Sequence, residues 1–370
     1  MLFRSDPQKG VLIFASAVLC ALALAIAQVG TLNLVLLFLL GAFLGVALYH
    51  ATFGFTSAFR VLLADGRSAG LRAQLVMLAL ACILFFPALG AGSLFGQRVT
   101  GNVSPAGTSV LVGAFLFGIG MQMGGGCASG TLFAVGGGSS RMIVTLFFFI
   151  IGSVIGVAHI GFWQGLPSLA PISMVLTLGW PVALALNLAV FAAIFAIVRA
   201  IEKRRHGAAE AIASGEGPIW RRALRGPWPL VWGAVALALG NFLTLTLAGR
   251  PWGVTSAFGL WGSKMLQTVG VPVAEWPSWA GAAQQRALAA PVLTDITSVM
   301  DFGIMLGALI AAGLAASKGE ARRLIDQGGI SVNGTPATDA TAAIASFAPL
   351  ADGSLLMRKG RREHRILRAQ

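Results

Sequence analysis

Residues 53–59 read FGFTSAF, and residues 252–258 read WGVTSAF. Five of the seven positions match at an offset of 199 residues, and each copy follows the end of a strongly apolar stretch, so chance likeness is a poor explanation. The pair reads as an internal duplication. Short Gly-Thr-Ser segments of this kind cannot lie unwound against lipid, because each free N–H or C=O there costs several kcal/mol. They must line a cavity or be enclosed by protein.

The setting of the pair is a membrane. The chain has 370 residues, of which 56% are hydrophobic and 11% charged, with a mean hydropathy of +0.82, and this excludes a soluble globular protein. Apolar runs long enough to cross a bilayer fall at about 11–28, 32–52, 71–90, 109–123, 142–163, 174–199, 229–248 and 299–316. These predict an all-α polytopic membrane protein of about eight spans with broken or re-entrant helices. The first run follows Arg4 and Lys9 as a signal peptide would, but no convincing small-residue cleavage site follows, so it is read as a span.

Charge sets the orientation. Lys and Arg total 26 against 13 Asp and Glu, a net +13, and the excess lies in loops and tail. Arg60, Arg67 and Arg72 lie between the second and third runs, Arg141 precedes the fifth, and Lys203, Arg204, Arg205, Arg221, Arg222 and Arg225 crowd the segment after the sixth. By the positive-inside rule these loops and both termini face the cytoplasm. The first heptapeptide then lies at the cytoplasmic end of its span and the second at the periplasmic end, so the halves are inverted. Inverted repeats with interrupted helices are a transporter construction, with the substrate site near mid-membrane. The implied division is a first transmembrane repeat at 1–201, a cytoplasmic linker at 202–228, a partial second repeat at 229–316 and a different segment at 317–370.

Between the fourth and fifth runs lies GIGMQMGGGCASGTLFAVGGGSSR, residues 118–141. Its glycines predict a broken helix, since each costs about 1 kcal/mol relative to alanine in a helix interior. A broken helix offers free N–H groups and the positive end of a half-helix dipole, which favour a small anion. Cys127 stands at the centre, a soft weak donor suited to a sulfur-bearing ligand. No Asp or Glu occurs in 66–201, which disfavours cation coordination there. The candidate pathway residues are Gly124, Gly125, Gly126, Cys127, Ser129, Gly130 and Thr131, with Thr56, Ser57, Thr255 and Ser256 from the heptapeptides. Two other roles stay open: the hydroxyls could bond back to their own helices, and Cys127 could serve tight packing. Cys20, Cys82 and Cys127 lack metal-ligand spacing, and no nucleophile–base pair appears, so neither an enzyme, a metal site nor a cofactor is expected.

After Ala316 the character changes to a small basic α+β segment with nine Lys and Arg over 317–370. Ser317 and Glu320 have capping-box spacing and open a helix through about Gln327. ISVNG (330–334) reads as a strand entering a turn, and LLMR (355–358) with HRIL (364–367) as a hairpin around KGRRE.

The combination of FGFTSAFR (53–60), GIGMQMGGGCASGT (118–131), WGVTSAF (252–258) and DFGIMLGA (301–308) resembles the YeeE/YedE family of bacterial inner-membrane thiosulfate transporters over most of residues 10–316. That resemblance implies uptake of thiosulfate from the periplasm past membrane-embedded cysteines, here Cys127. The family pattern places a second cysteine-glycine element in the second half, and this chain has no cysteine after Cys127. The second repeat is therefore expected to be incomplete, with transport impaired or lost. Residues 312–339 with 359–368 resemble instead the alpha-L RNA-binding segment at the C-terminus of bacterial tyrosyl-tRNA synthetases. The resemblance implies RNA contacts by Lys318, Arg322, Arg323, Asn333 and Gly334, and a chain assembled from two unrelated sequences joined near AAGLAA (311–316). The expected partners are a small sulfur anion, the lipid bilayer and RNA at the tail. A membrane-anchored RNA-binding module is the rival reading.

Overall fold

The computed structural model describes residues 7–213, 218–314, 330–336, 354–359 and 363–368. The described residues form fifteen α-helices. Up to His206 these are α1 (Lys9–Val29), α2 (Leu32–Ala51), α3 (Phe55–Asp65), α4 (Ala69–Ala91), α5 (Thr108–Gly124), α6 (Ala128–Gly136), α7 (Ser140–Ala158), α8 (Ile160–Gln164), α9 (Met174–Leu178) and α10 (Trp180–His206). A two-residue hairpin, β1 (Ser93–Leu94) and β2 (Gln97–Arg98), follows α4. Beyond it come α11 (Ile219–Arg225), α12 (Leu230–Ala248), α13 (Ser256–Thr268), α14 (Ala282–Ala289) and α15 (Ile296–Leu314). Among the described residues eight helical stretches are long and apolar enough to cross a membrane, counting α2 with α3 and α5 with α6 as one each.

Several boundaries differ from the sequence reading, each for a local reason. The fifth run stops at Ala158, where the His159 ring nitrogen comes within 3.0 Å of the Ile155 carbonyl, and α8 begins anew. The sixth breaks at Gly179, whose φ of 76° and ψ of 148° end α9, and Pro181 in the first turn of α10 favours the restart. α10 then continues through the basic residues to His206. Within 118–141 the helix survives Gly118, Gly120 and Gly124 and opens only at 125–127 and 137–139. In hydrocarbon an unwound backbone has no water to bond, so helix persists through glycines that would loosen it in water.

The centre is an α2–α15 crossing in which backbone meets backbone. A Cβ placed on Gly41 or Gly45 would overlap the carbonyls of Met300 and Ile304, and one on Gly303 or Gly307 would overlap those of Phe38 and Ala42. Glycines spaced four apart on both helices thus interlock, and small residues are what allows helices to associate closely in lipid. α12 packs on α2 and α4, and α6 packs on α15, where Gly136 lies against the Met305 carbonyl. Each span that leads into a heptapeptide copy therefore lies against the span that follows the other copy, as a two-fold relation between halves requires. Among the described residues the second half supplies counterparts of α2, α3 and α4 only.

One buried ion pair ties α4 to α10. Arg72 Nη2 donates to Glu202 Oε2 at 3.0 Å, Ser68 Oγ donates to the same oxygen at 2.6 Å, and the Glu210 N–H reaches Oε1 at 3.1 Å. Their side chains are only 5% and 1% exposed. Removing one partner of such a pair costs about 3–5 kcal/mol, because the other is left as an uncompensated buried charge. Glu202→Ala is expected to show that loss as a lower thermal midpoint in detergent, and Glu202→Gln, which keeps shape and one acceptor, a smaller one. Unchanged midpoints in both would exclude the pair as a tie.

The tail contains β3 (Ile330–Val332), β4 (Thr335–Pro336), β5 (Ser354–Lys359) and β6 (Glu363–Arg368), antiparallel in the order β4-β3-β5-β6. Both strand expectations, the turn at 333–334 and the hairpin around KGRRE, agree with it. Asn333 and Gly334 have φ of 50° and 83°, the left-handed values a tight hairpin needs. The helix expected over 317–327, with Lys318, Arg322 and Arg323, lies outside the described residues.

Candidate functional site

Two helix interruptions of the first repeat meet. At the first, α2 stops at Ala51, Thr52 turns left-handed with φ 46°, and α3 restarts after an extended Gly54. Its exposed carbonyls are satisfied from neighbouring helices. Gln74 Nε2 on α4 donates to the Gly54 carbonyl at 3.2 Å, and Gln122 Nε2 on α5 to the Thr56 carbonyl at 3.3 Å. At the second, α5 ends in Gly125 with φ 79°, and Cys127 is the extended residue before α6. Neither α3 nor α6 has a side chain capping its N-terminus, so their first N–H groups are free of intramolecular side-chain acceptors.

A cavity of about 260 Å³ lies between them, lined by Thr52, Gly54, Thr56, Ser57 and Arg60 from one side and by Gly125, Gly126, Cys127, Gly130, Phe133, Ala134, Ser139, Arg141 and Met142 from the other. Cys127 is 9% exposed, with Sγ 3.6 Å from Ser129 Oγ. The Arg141 guanidinium covers Gly125 so closely that a Cβ there would meet Nη2 at 2.5 Å. Neither Arg60 nor Arg141 has a carboxylate partner among the described residues. Two unpaired guanidinium groups, two uncapped helix N-termini and a thiol suit a small anion with a soft atom.

Six expected pathway residues thus line one cavity: Thr56, Ser57, Gly125, Gly126, Cys127 and Gly130. Gly124, Ser129 and Thr131 stand behind it. The Gly124 carbonyl accepts from Thr145 Oγ1 at 3.3 Å, and Thr131 is fully buried with its hydroxyl unpartnered, as is that of Thr56. Ser57 bonds back to its own segment, donating to the Gly54 carbonyl at 3.1 Å.

Thr255 and Ser256 are not in this cavity. They open α13 at a separate polar cluster, where Ser256 Oγ lies 2.8 Å from the Gly253 carbonyl and 3.1 Å from Thr297 Oγ1, and Arg250 Nη2 lies 3.5 Å from Thr297 Oγ1. The Ser256–Gly253 bond repeats Ser57–Gly54 at the same offset of 199 residues, so the duplication is legible in local geometry as well as in letters. In the tail, Asn333 Oδ1 accepts from the Leu356 N–H at 2.7 Å while the Asn333 N–H donates to the Leu356 carbonyl at 2.8 Å. That side-chain oxygen adds one bond between the turn and β5.

The sequence reading missed Arg60, Arg141, Gln74 and Gln122 as site residues. Arg60 is four positions beyond Thr56 on one helix, hence on the same face, which was a usable signal. Arg141 and Arg60 had been counted only as topological cations. Nothing in the sequence connects the glutamines to segments 20 and 66 residues away.

The architecture and this site define a multi-pass membrane protein of inverted-repeat construction with an anion-suited cavity at paired helix breaks. Residues 50–322 match the sulphur transport family, and the chain belongs to that family. Residues 298–367 match the tyrosine–tRNA ligase SYY-like C-terminal domain, so the two matches overlap at 298–322. A tyrosine–tRNA ligase of Lachnoclostridium phytofermentans is 37% identical over 81 residues, covering 22% of this chain and 20% of the ligase. The chain thus spans about a fifth of that relative's length.

Proposed function

We propose that the protein takes up thiosulfate, or a closely related small sulfur-containing anion, across the bacterial inner membrane through the Cys127 cavity. The observation that carries this reading is the convergence of Arg60, Arg141, two uncapped helix N-termini and the Cys127 thiol on one cavity. The guanidinium groups and N–H groups bind the charged oxygens, and the thiol meets the soft terminal sulfur as the ion passes. Both termini face the cytoplasm, and the polar cluster at Thr255 and Ser256 forms the opposite end of the route. The second half lacks a counterpart of the cysteine element, which slows transport. The membrane part divides into 1–201, the linker 202–228 and the partial repeat 229–316.

Cys127→Ala tests the thiol in cells that depend on thiosulfate as their sulfur source. The thiol is a weak donor, so its bond to the anion is set at about 0.5–1.5 kcal/mol net, and uptake should fall between about twofold and tenfold. Equal uptake by both proteins would remove the thiol from the mechanism.

A second reading concerns the tail and is favoured by the match at 298–367. We infer that 317–370 binds structured RNA through Lys318, Arg322, Arg323 and the turn at Gly334, in a chain joined from two unrelated parents. Binding of tRNA to the full chain in detergent should weaken steeply with salt, because phosphate contacts release counterions. Salt-independent binding would count against it.

A further inference from the structure

Asp301 stands one turn beyond Thr297 on α15, beside the largest apolar cluster among the described residues. Its neighbours on the helix, Met300 and Ile304, belong to that core with Leu44, Leu132 and Phe258. It is 0% exposed, and neither carboxylate oxygen has a hydrogen-bond partner. The half-buried Trp252 of the second heptapeptide likewise has an indole nitrogen that is enclosed and without a hydrogen-bond partner. Asp295, which opens the same helix, is fully employed by contrast: Oδ2 accepts from the Ser298 N–H at 2.8 Å and from Ser298 Oγ at 2.7 Å.

Among the described residues no cation pairs with Asp301. Of the ionisable groups on the elements packed against α15, Lys9 lies on α1, Tyr49 and His50 on α2 and three arginines on α11, and none is within ion-pair distance of it. Lys264 on α13 donates instead to the Leu288 and Ala290 carbonyls, at 2.6 Å each, and Arg250 is turned to Thr297. A fully buried carboxylate in hydrocarbon, with neither a hydrogen-bond nor an ion-pair partner, is stable only with a proton on it, and ionisable groups so placed mark proton or ion routes.

We propose that Asp301 is a proton-binding site of this protein, and that its proton travels with the anion. The second clause rests on the transport reading above. A dianion moving toward an inside-negative face moves against the potential, and one accompanying proton cancels one of its two charges and lets a pH gradient drive its uptake. Thr297 joins the site to the Arg250–Ser256 cluster one turn away, which places proton and anion on the same helix face.

Two measurements on the purified full chain separate the clauses. Infrared difference spectra should show the carbonyl stretch of a protonated carboxylic acid in the wild type at neutral pH, shifted in Asp301→Glu and missing in Asp301→Asn. In proteoliposomes an inward proton gradient should drive thiosulfate accumulation that falls at least tenfold in Asp301→Asn, while exchange of labelled for unlabelled thiosulfate persists. A wild type without the band overturns the proposal, and sodium-driven uptake in that protein would make Asp301 a cation ligand. Gradient-driven accumulation that survives Asp301→Asn overturns the coupling. If the band is present but the wild type moves no sulfur anion, the proton site stands and the transport reading falls.

Discussion

Arg141→Ala is expected to lower uptake of the sulfur anion by roughly ten- to a hundredfold at limiting substrate. A hydrogen bond to a charged group is worth about 1.5–3 kcal/mol, against about 1.4 kcal/mol per tenfold change, so losing a guanidinium outweighs losing the Cys127 thiol. Arg141 can contribute fully because no carboxylate among the described residues competes for it and because it covers the Gly125 break, where the free N–H groups of α6 begin. Arg141→Lys should fall between the two proteins, since it keeps the charge and loses the planar fork. It also keeps the cation that orients the fifth span, so an intermediate value separates ligand binding from topology. Uptake unchanged in both Arg141→Ala and Arg60→Ala would refute an anion site at this cavity.

The second large effect is on folding. Gly307→Leu is expected to abolish recovery of monodisperse protein from detergent extracts, and Gly303→Leu to do nearly the same. At both positions the new Cβ would overlap a backbone carbonyl of α2, which no rotamer change can relieve. Overpacking in a core usually costs about 1–3 kcal/mol and more where backbones must separate. Gly118→Ala is the matched control, because a Cβ there meets nothing within 4 Å and alanine favours helix by about 1 kcal/mol. A Gly307→Leu protein with the thermal midpoint of the wild type would mean that α2 and α15 do not cross so closely.

What could be read beforehand was whatever a local pattern encodes. Eight apolar stretches, the duplicated heptapeptide and the hairpins of the tail are set by runs, spacings and turn residues, and each corresponds to an element. Gly125–Cys127 was visible as a break because three glycines precede a small polar residue. The extent of that break was overestimated, since propensities measured in water understate how strongly hydrocarbon enforces backbone pairing at Gly118 and Gly120. The cavity needed the three-dimensional arrangement. Arg60 and Arg141 belong to different spans and meet only because two interruptions face each other, and the carbonyls at 54 and 56 find Gln74 and Gln122 only through packing. Asp301 was plain in the sequence as one acidic residue in an apolar run, but its lack of an ion-pair partner among the described residues was not.

The interlocked glycines of α2 and α15 also bear on how a gate could work. Where carbonyls of one rod seat directly in notches of the other, there are no flexible side chains between them to slide or pivot on, and the two halves behave as one beam. Wholesale rocking of one half against the other, the motion by which many carriers alternate, would have to tear that seam open at each cycle. Opening and closing are left to the short pieces beside the beam: α3, with eleven residues, joined to α2 through 52–54, and α6, with nine, joined to α5 and α7 through 125–127 and 137–139. Small levers of that kind need little displacement to admit or block an ion, so the fastest-exchanging amides of the protein should be found at their hinges.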